Sequence, residues 1–102
     1  MVKPEYPLKD VKRLAHDRQV LFIPRKDGKA DPARVRMTKA QACDVIVRLM
    51  PKDFDITSYK DGYPADVYKV PYIRPGLVQK WLYIKLQIVE DGTLLVIISF
   101  HI

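Results

Sequence analysis

The last 26 residues carry the pattern that most restricts how this sequence can fold. Two β-type arms, 77–89 and 93–102, flank an Asp-Gly pair at 91–92, which is a frequent turn in two-stranded hairpins. Along the first arm apolar side chains alternate with polar or amphipathic ones, as in a strand with one buried face. The apolar set is Val78, Leu82, Ile84, Leu86 and Ile88, and the other set is Gln79, Trp81, Tyr83, Lys85 and Gln87. We therefore expect an antiparallel hairpin that packs through one face.

The length of the hairpin loop decides which side chains of the second arm join the buried face, because a shift of one residue reverses the whole arm. A two-residue loop pairs Glu90 with Thr93 and buries Ser99 and His101. A three-residue loop pairs Val89 with Thr93 instead, and its buried set is Leu94, Val96, Ile98 and Phe100. We favour the three-residue loop, because burying an unpaired polar group costs about 1–3 kcal/mol while each apolar side chain gains a similar amount.

The favoured register predicts a surface of chemically useful side chains on the outward face of the hairpin. It places His101 opposite Trp81 and Ser99 opposite Tyr83. The whole predicted outward set is Gln79, Trp81, Tyr83, Lys85, Ser99 and His101, with Leu95 and Ile97 further along. An imidazole, a phenol, an ammonium group and an indole would then share one surface.

Two helices are predicted in the first half of the chain. Apolar residues recur at helical spacing from Leu8 to Ala15, which indicates an amphipathic helix over about 7–17. Thr38 and Gln41 have the spacing of a capping box and begin a second helix that Pro51 closes.

Short strands are predicted at 19–23, 56–60 and 66–70, and a polar, turn-rich loop at 25–32. Helices come first along the chain and most of the sheet comes last. We therefore expect an α+β fold, in which both helices cover one face of an antiparallel sheet.

Composition and charge narrow the class of protein. A chain of 102 residues fits a single domain over 1–102. The formal charge is +6, and residues 1–50 hold twelve Lys/Arg and six Asp/Glu against six and six in 51–102, which favours an anionic partner. No apolar run approaches the roughly 18–20 residues of a membrane span. The single cysteine, Cys43, and an N-terminal sequence without the apolar core of a secretory signal lead us to expect a cytoplasmic protein.

The motifs of metal and cofactor sites are missing, and the remaining side chains suggest chemistry on RNA. The chain has two histidines and one cysteine at no metal-ligand spacing, and it lacks GxGxxG, GxxxxGK[ST] and GxSxG. We therefore expect neither a metal nor a cofactor. RNA is cleaved without metal when a base takes the 2′-OH proton, cations stabilise the phosphate charge and an acid protonates the leaving oxygen. The candidates are Tyr83, His101, Lys60, Arg74 and Lys85, with Trp81 to stack on a base.

Short motifs in a fixed order resemble those of the MqsR family of type II toxin–antitoxin toxins. They are VKRLAHDRQV at 11–20, CDVIVRL at 43–49, DF at 53–54, DVY at 66–68, RP at 74–75, YIKL at 83–86 and SF at 99–100. This resemblance implies a RelE-like fold with a twisted antiparallel sheet. It also implies a sequence-selective mRNA endonuclease that a cognate antitoxin, encoded by the neighbouring gene, holds in check.

The resemblance also suggests site residues. The family uses a lysine in the loop after DF, a glutamine before DVY and the tyrosine of YIK, which Tyr83 matches. Lys60 is the nearest substitute for the lysine, and Ala65 stands where the glutamine would be. His101 lies where some relatives have lysine. We expect Tyr83 and His101 to share the acid and base roles, and Lys60, Arg74 and Lys85 to contact the scissile phosphate.

Two other functions fit the same residues. The first is a basic module that binds RNA, the ribosome or a protein without cutting, and the second is a structural subunit for an acidic protein. The excess of basic residues lies in residues 1–50, whereas the site candidates lie in 51–102. We therefore expect the basic first half to steer RNA or to dock the antitoxin.

Overall fold

The computed structural model describes residues 3–60, 62–72 and 80–102, which form two helices packed on one face of a five-stranded sheet. The helices are α1 (Leu8–His16) and α2 (Lys39–Val47), and short 3₁₀ turns cover Pro32–Val35 and Pro51–Asp53. The strands are β1 (Val20–Phe22), β2 (Phe54–Ser58), β3 (Ala65–Tyr72), β4 (Lys80–Val89) and β5 (Leu94–His101). The predicted α+β layout is confirmed.

The sheet is mixed, with the order β1-β5-β4-β3-β2. The pairs β2–β3, β3–β4 and β4–β5 are antiparallel, as expected. Strand β1 instead runs parallel to β5, from Val20 beside Leu95 to Phe22 beside Ile97. The expectation of a wholly antiparallel sheet is therefore wrong at this edge. The apolar β1 residues Val20 and Phe22 pack on the helix side of the sheet there.

The ends of α2 follow from its sequence. The Thr38 hydroxyl accepts a hydrogen bond from the Gln41 backbone N–H at 3.1 Å, and the Gln41 side-chain oxygen accepts one from the Thr38 N–H at 2.9 Å. This is the predicted capping box. At the other end Met50 is extended, as the residue before Pro51 prefers, so the helix has already ended.

The β4–β5 loop has four residues, Glu90 to Thr93, so that Val89 pairs with Leu94. Both predicted loop lengths are therefore wrong. Glu90, Asp91 and Gly92 all have positive φ, and the Glu90 carbonyl accepts hydrogen bonds from the Thr93 N–H and hydroxyl. The favoured three-residue loop of Glu90, Asp91 and Gly92 is extended by Thr93, and both Glu90 and Asp91 take a left-handed conformation together with Gly92.

A β-bulge at Ile98 then changes which side chains of β5 face the core. Leu86 pairs with Ile97 and Lys85 with Ser99, which leaves Ile98 as the extra residue between them. As a result the residues that face the helices are Leu95 and Ile97 on the N-terminal side of the bulge and Phe100 on its C-terminal side. Of the predicted buried set Leu94, Val96, Ile98 and Phe100, Phe100 faces the helices, Val96 is buried on the opposite face, and Leu94 and Ile98 are only partly buried. The predicted outward positions of Leu95 and Ile97 are wrong for the same reason.

The core lies between the helices and this face of the sheet. Val11, Leu14 and Ala15 of α1 and Ala42 and Ile46 of α2 are buried in it. They pack against a sheet surface that contains Tyr68, Leu82, Ile84, Leu86, Leu95, Ile97 and Phe100. Among the described residues, neither helix is long and apolar enough to cross a membrane. The opposite side of the sheet, which we call the helix-free face because no helix of the described residues packs on it, carries the candidate site.

Candidate active site

Three side chains form a row across the helix-free face. Tyr83 of β4 pairs with Lys69 of β3 on one side and with His101 of β5 on the other. The rings of Tyr83 and His101 are stacked, with centroids 5.2 Å apart and planes at 29°. The structure therefore brings together the two predicted acid and base residues. The predicted pairs of His101 with Trp81 and Ser99 with Tyr83 are wrong, because the four-residue loop and the bulge shift β5 by two residues.

The orientation of His101 suggests which of its nitrogens is basic. Its Nδ1 lies 3.2 Å from the backbone oxygen of Ile102. An N–H at Nδ1 that is donated to this carbonyl leaves Nε2 as the acceptor nitrogen.

A second row of polar side chains lies beside the first. Lys85 is two residues from Tyr83 on the same strand and face, and it pairs with Ser99. The Lys85 side chain is largely buried, with 9% of the residue exposed. Two residues along a strand correspond to about 7 Å. Lys85 thus lies beside the Tyr83–His101 pair, but the prediction that Lys85 and Ser99 face outward is wrong, because both residues are buried.

Arg25 fixes the bulged part of β5. Its guanidinium donates to the backbone oxygen of Ile98 at 2.9 Å and to the hydroxyl of Ser99 at 3.1 Å. The second terminal nitrogen donates to Asp27 at 2.8 Å. The backbone N–H of Lys29 and the charge of Arg25 together lower the pKa of Asp27. The loop therefore holds Arg25 against β5 as an ion pair.

The remaining predicted site residues do not all lie near Tyr83; they are Lys60, Arg74 and Trp81. Lys60 is exposed in the turn that follows β2, just beyond the paired residues Ser58 and Ala65. Lys69, the β3 residue that pairs with Tyr83, lies about 13 Å along the strand from Ala65. The structure does not bring Lys60 beside Tyr83. Arg74 lies outside the described residues. Trp81 is 58% exposed and lies two residues before Tyr83 on the same face, where a base could reach it.

Sequence reasoning missed Lys69 and the role of Arg25. The alternation of β3 could have identified Lys69, because Val67, Lys69 and Pro71 alternate with the core-facing Tyr68 and Val70. Lys69 forms an ion pair with Asp55, with Nζ 3.4 Å from Oδ2. No local pattern indicates the contact of Arg25 with residues more than seventy positions away.

The cysteine of the chain, Cys43, is buried in α2 on the other side of the sheet. Burial raises the pKa of the Cys43 thiol, which disfavours a reactive thiolate. Within residues 3–60, 62–72 and 80–102 there is no cluster of three His, Cys, Asp or Glu side chains that could hold a metal ion.

Comparison with known proteins gives one family. Residues 3–102 match the family model described as "Motility quorum-sensing regulator, toxin of MqsA". No individual curated protein matches the chain.

Proposed function

This chain belongs to the MqsR family of toxins, and on that basis we propose that it is a sequence-selective endoribonuclease that cleaves messenger RNA. The family is the toxin component of a toxin–antitoxin system. The single observation that supports the catalytic proposal best is the stacked Tyr83–His101 pair, flanked by Lys69 and Lys85 on the helix-free face.

We assign the two proton transfers to this pair. Nε2 of His101 takes the proton from a ribose 2′-OH, and the 2′-oxygen forms a bond to the adjacent phosphorus. As the bond from phosphorus to the 5′-oxygen breaks, the Tyr83 hydroxyl gives its proton to that oxygen. The products are a 2′,3′-cyclic phosphate and a free 5′-OH. Transfer of the proton from the imidazolium to the phenolate, directly or through water, restores both groups.

Lysine side chains would stabilise the negative charge that develops on the phosphate. Lys69 is exposed on one side of Tyr83 and would contact the phosphate directly, whereas the buried Lys85, two residues along β4, would act through its positive charge. Lys60 would contact a phosphate farther along the RNA instead of the scissile one, and the contact of Arg74 with the scissile phosphate stays a prediction from the sequence. None of these steps requires a metal ion or a cofactor.

The regulating partner would be an antitoxin from the neighbouring gene. The family description names MqsA as the partner of the toxin. Lys9 and Arg13 are exposed on α1, which packs on the sheet face opposite the candidate site. We assign this basic helix surface to antitoxin docking, and we place the protein with its mRNA substrate in the cytoplasm.

Expression of the chain in bacterial cells tests this function. We expect growth inhibition and new, discrete 5′ ends in the transcripts, both removed by Tyr83→Phe or His101→Ala at equal protein levels. Leu21→Ala, on the same sheet face but in edge strand β1, serves as a matched control and should still cut. RNA binding without new 5′ ends would favour the non-catalytic module.

A further inference from the structure

A cleft beside the Tyr83 row has no part in the proton transfers described above. It has a volume of about 390 Å³ and lies between the turn before β2, the bulged start of β2, and strands β3 and β4. Its lining residues are Lys52, Asp53, Phe54, Asp55, Lys69 and Trp81. An exposed indole, two ammonium groups and two carboxylates therefore share a concave surface next to the acid and base residues.

Trp81 gives this cleft a flat apolar wall. The indole is 58% exposed although β4 is otherwise well packed on its core side. Trp81 precedes Tyr83 by two residues on the same face, about 7 Å along the strand. A nucleotide next to the one being cleaved could therefore stack its base on the indole, as bases of single-stranded RNA stack on aromatic side chains.

The carboxylates give the cleft a preference among bases. Asp53 Oδ2 accepts a hydrogen bond from the Met50 N–H at 2.8 Å, and no described residue donates to Oδ1. Asp55 is paired with Lys69. A carboxylate only accepts hydrogen bonds, so it suits the exocyclic amino group of adenine, cytosine or guanine. Uracil offers only its N3–H as a donor on this edge, and the two carbonyl oxygens that flank this N–H would face the negative charge.

We propose that this cleft is a nucleobase subsite next to the scissile phosphate, in which Trp81 stacks on the base and Asp53 selects bases with an exocyclic amino group over uracil. Lys52 and Lys69 contact the phosphates on either side of that nucleotide. The inference rests on the proposed endoribonuclease function and adds a determinant of its sequence selectivity.

The single tryptophan of the chain makes a direct test possible. Short 2′-O-methyl oligonucleotides of adenosine, cytidine or uridine cannot be cleaved by 2′-OH attack and can be titrated into the wild-type protein. We expect oligo(A) and oligo(C) to quench the Trp81 fluorescence and to bind at least fivefold more tightly than oligo(U). Asp53→Asn keeps an acceptor for Met50 and adds an amide N–H₂ donor, so it should remove or reverse this preference. Absence of quenching, or a preference that Asp53→Asn leaves unchanged, would overturn the proposal.

Cleavage mapping separates this proposal from the proposed function. If the wild-type protein cuts RNA, Asp53→Asn should raise the share of cut sites with uracil in the subsite, whereas the matched control Leu21→Ala should not. Cutting with an unchanged site preference in Asp53→Asn would refute the subsite and leave the nuclease in place. Quenching with the expected base preference but without any cutting would support the subsite and refute the nuclease.

Discussion

Tyr83 stacks on His101 across the β4–β5 pair because one residue, Ile98, bulges out of β5. Without an extra residue between Ile97 and Ser99, the pairing that begins at Val89 and Leu94 would bring Phe100 opposite Tyr83. The bulge advances β5 by one position, so that Phe100 stays in the core and His101 reaches the helix-free face. Bulges often occur next to active sites, where they redirect a side chain.

Arg25 is predicted to act as a positioning residue for this bulge. Arg25→Ala removes the hydrogen bonds to Ile98 and Ser99 and should lower the free energy of unfolding by about 1–2 kcal/mol. We expect kcat for RNA cleavage to fall roughly tenfold, since His101 loses its fixed place, while KM changes little. Arg25→Lys should recover part of kcat, and Lys26→Ala in the same loop should change neither value. A rise in KM alone would instead identify Arg25 as a phosphate ligand.

Lys69 and Lys60 form a matched pair for locating the cation that acts beside Tyr83. Because Lys69 lies across from Tyr83 and Lys60 lies in a distant turn, Lys69→Ala should reduce kcat/KM by roughly 10- to 100-fold, the effect of losing a hydrogen bond to a charged group. Lys60→Ala should have a smaller effect, mainly on KM. Purified variants and a fluorogenic RNA substrate give both constants. A larger loss of kcat in Lys60→Ala would restore the sequence-based assignment.

Tyr68 should make the stability of the fold depend on pH in the alkaline range. Its hydroxyl is buried and has no hydrogen-bond partner among the described residues. Burial, followed by the charges of Asp66 and Asp53, raises its pKa to about 12. The unfolded chain releases this proton near pH 10 and the folded one does not, so stability falls as the pH rises from about 10 towards 12.

Tyr68→Phe should abolish this part of the decline. The variant should be at least as stable as the wild type at pH 7, because it removes a buried polar group that lacks a partner. Urea unfolding at pH 7 and between pH 10 and 11.5 measures both effects. If the stability of the two proteins falls equally above pH 10, the folded state does not retain the Tyr68 proton as described.

Asp66 is predicted to hold the N-terminal segment on the sheet. It is fully buried, and its carboxylate accepts hydrogen bonds from the Glu5 and Tyr6 N–H groups and from the Thr57 hydroxyl. Asp66→Ala leaves these donors unpaired and should cost about 3 kcal/mol or more. Asp55→Ala, at an exposed ion pair, should cost under about 1 kcal/mol. Denaturant unfolding compares the two, and equal costs would contradict this role for Asp66.

Local patterns in the sequence were sufficient for the elements but not for the register of β5. The capping box of Thr38 and Gln41 and the alternation around Tyr83 depend on neighbouring residues alone, and the structure confirms both. The face of β5 depends on a bulge, and the five consecutive apolar residues from Leu94 to Ile98 give no alternation that could locate it. Arg25 stabilises the bulge from a distant loop, which no local pattern could reveal.

Single-turnover cleavage of a defined RNA by the purified protein in the presence of EDTA tests whether Tyr83 and His101 cut RNA without a metal ion. We expect cleavage that EDTA does not reduce, 2′,3′-cyclic phosphate products, and a rate that falls roughly 10²- to 10⁴-fold in Tyr83→Phe and in His101→Ala. Folding of each variant is checked by its urea midpoint. Full cleavage by both variants, or cleavage that EDTA abolishes, would contradict the assignment of Tyr83 and His101 as the acid and base of a metal-independent nuclease.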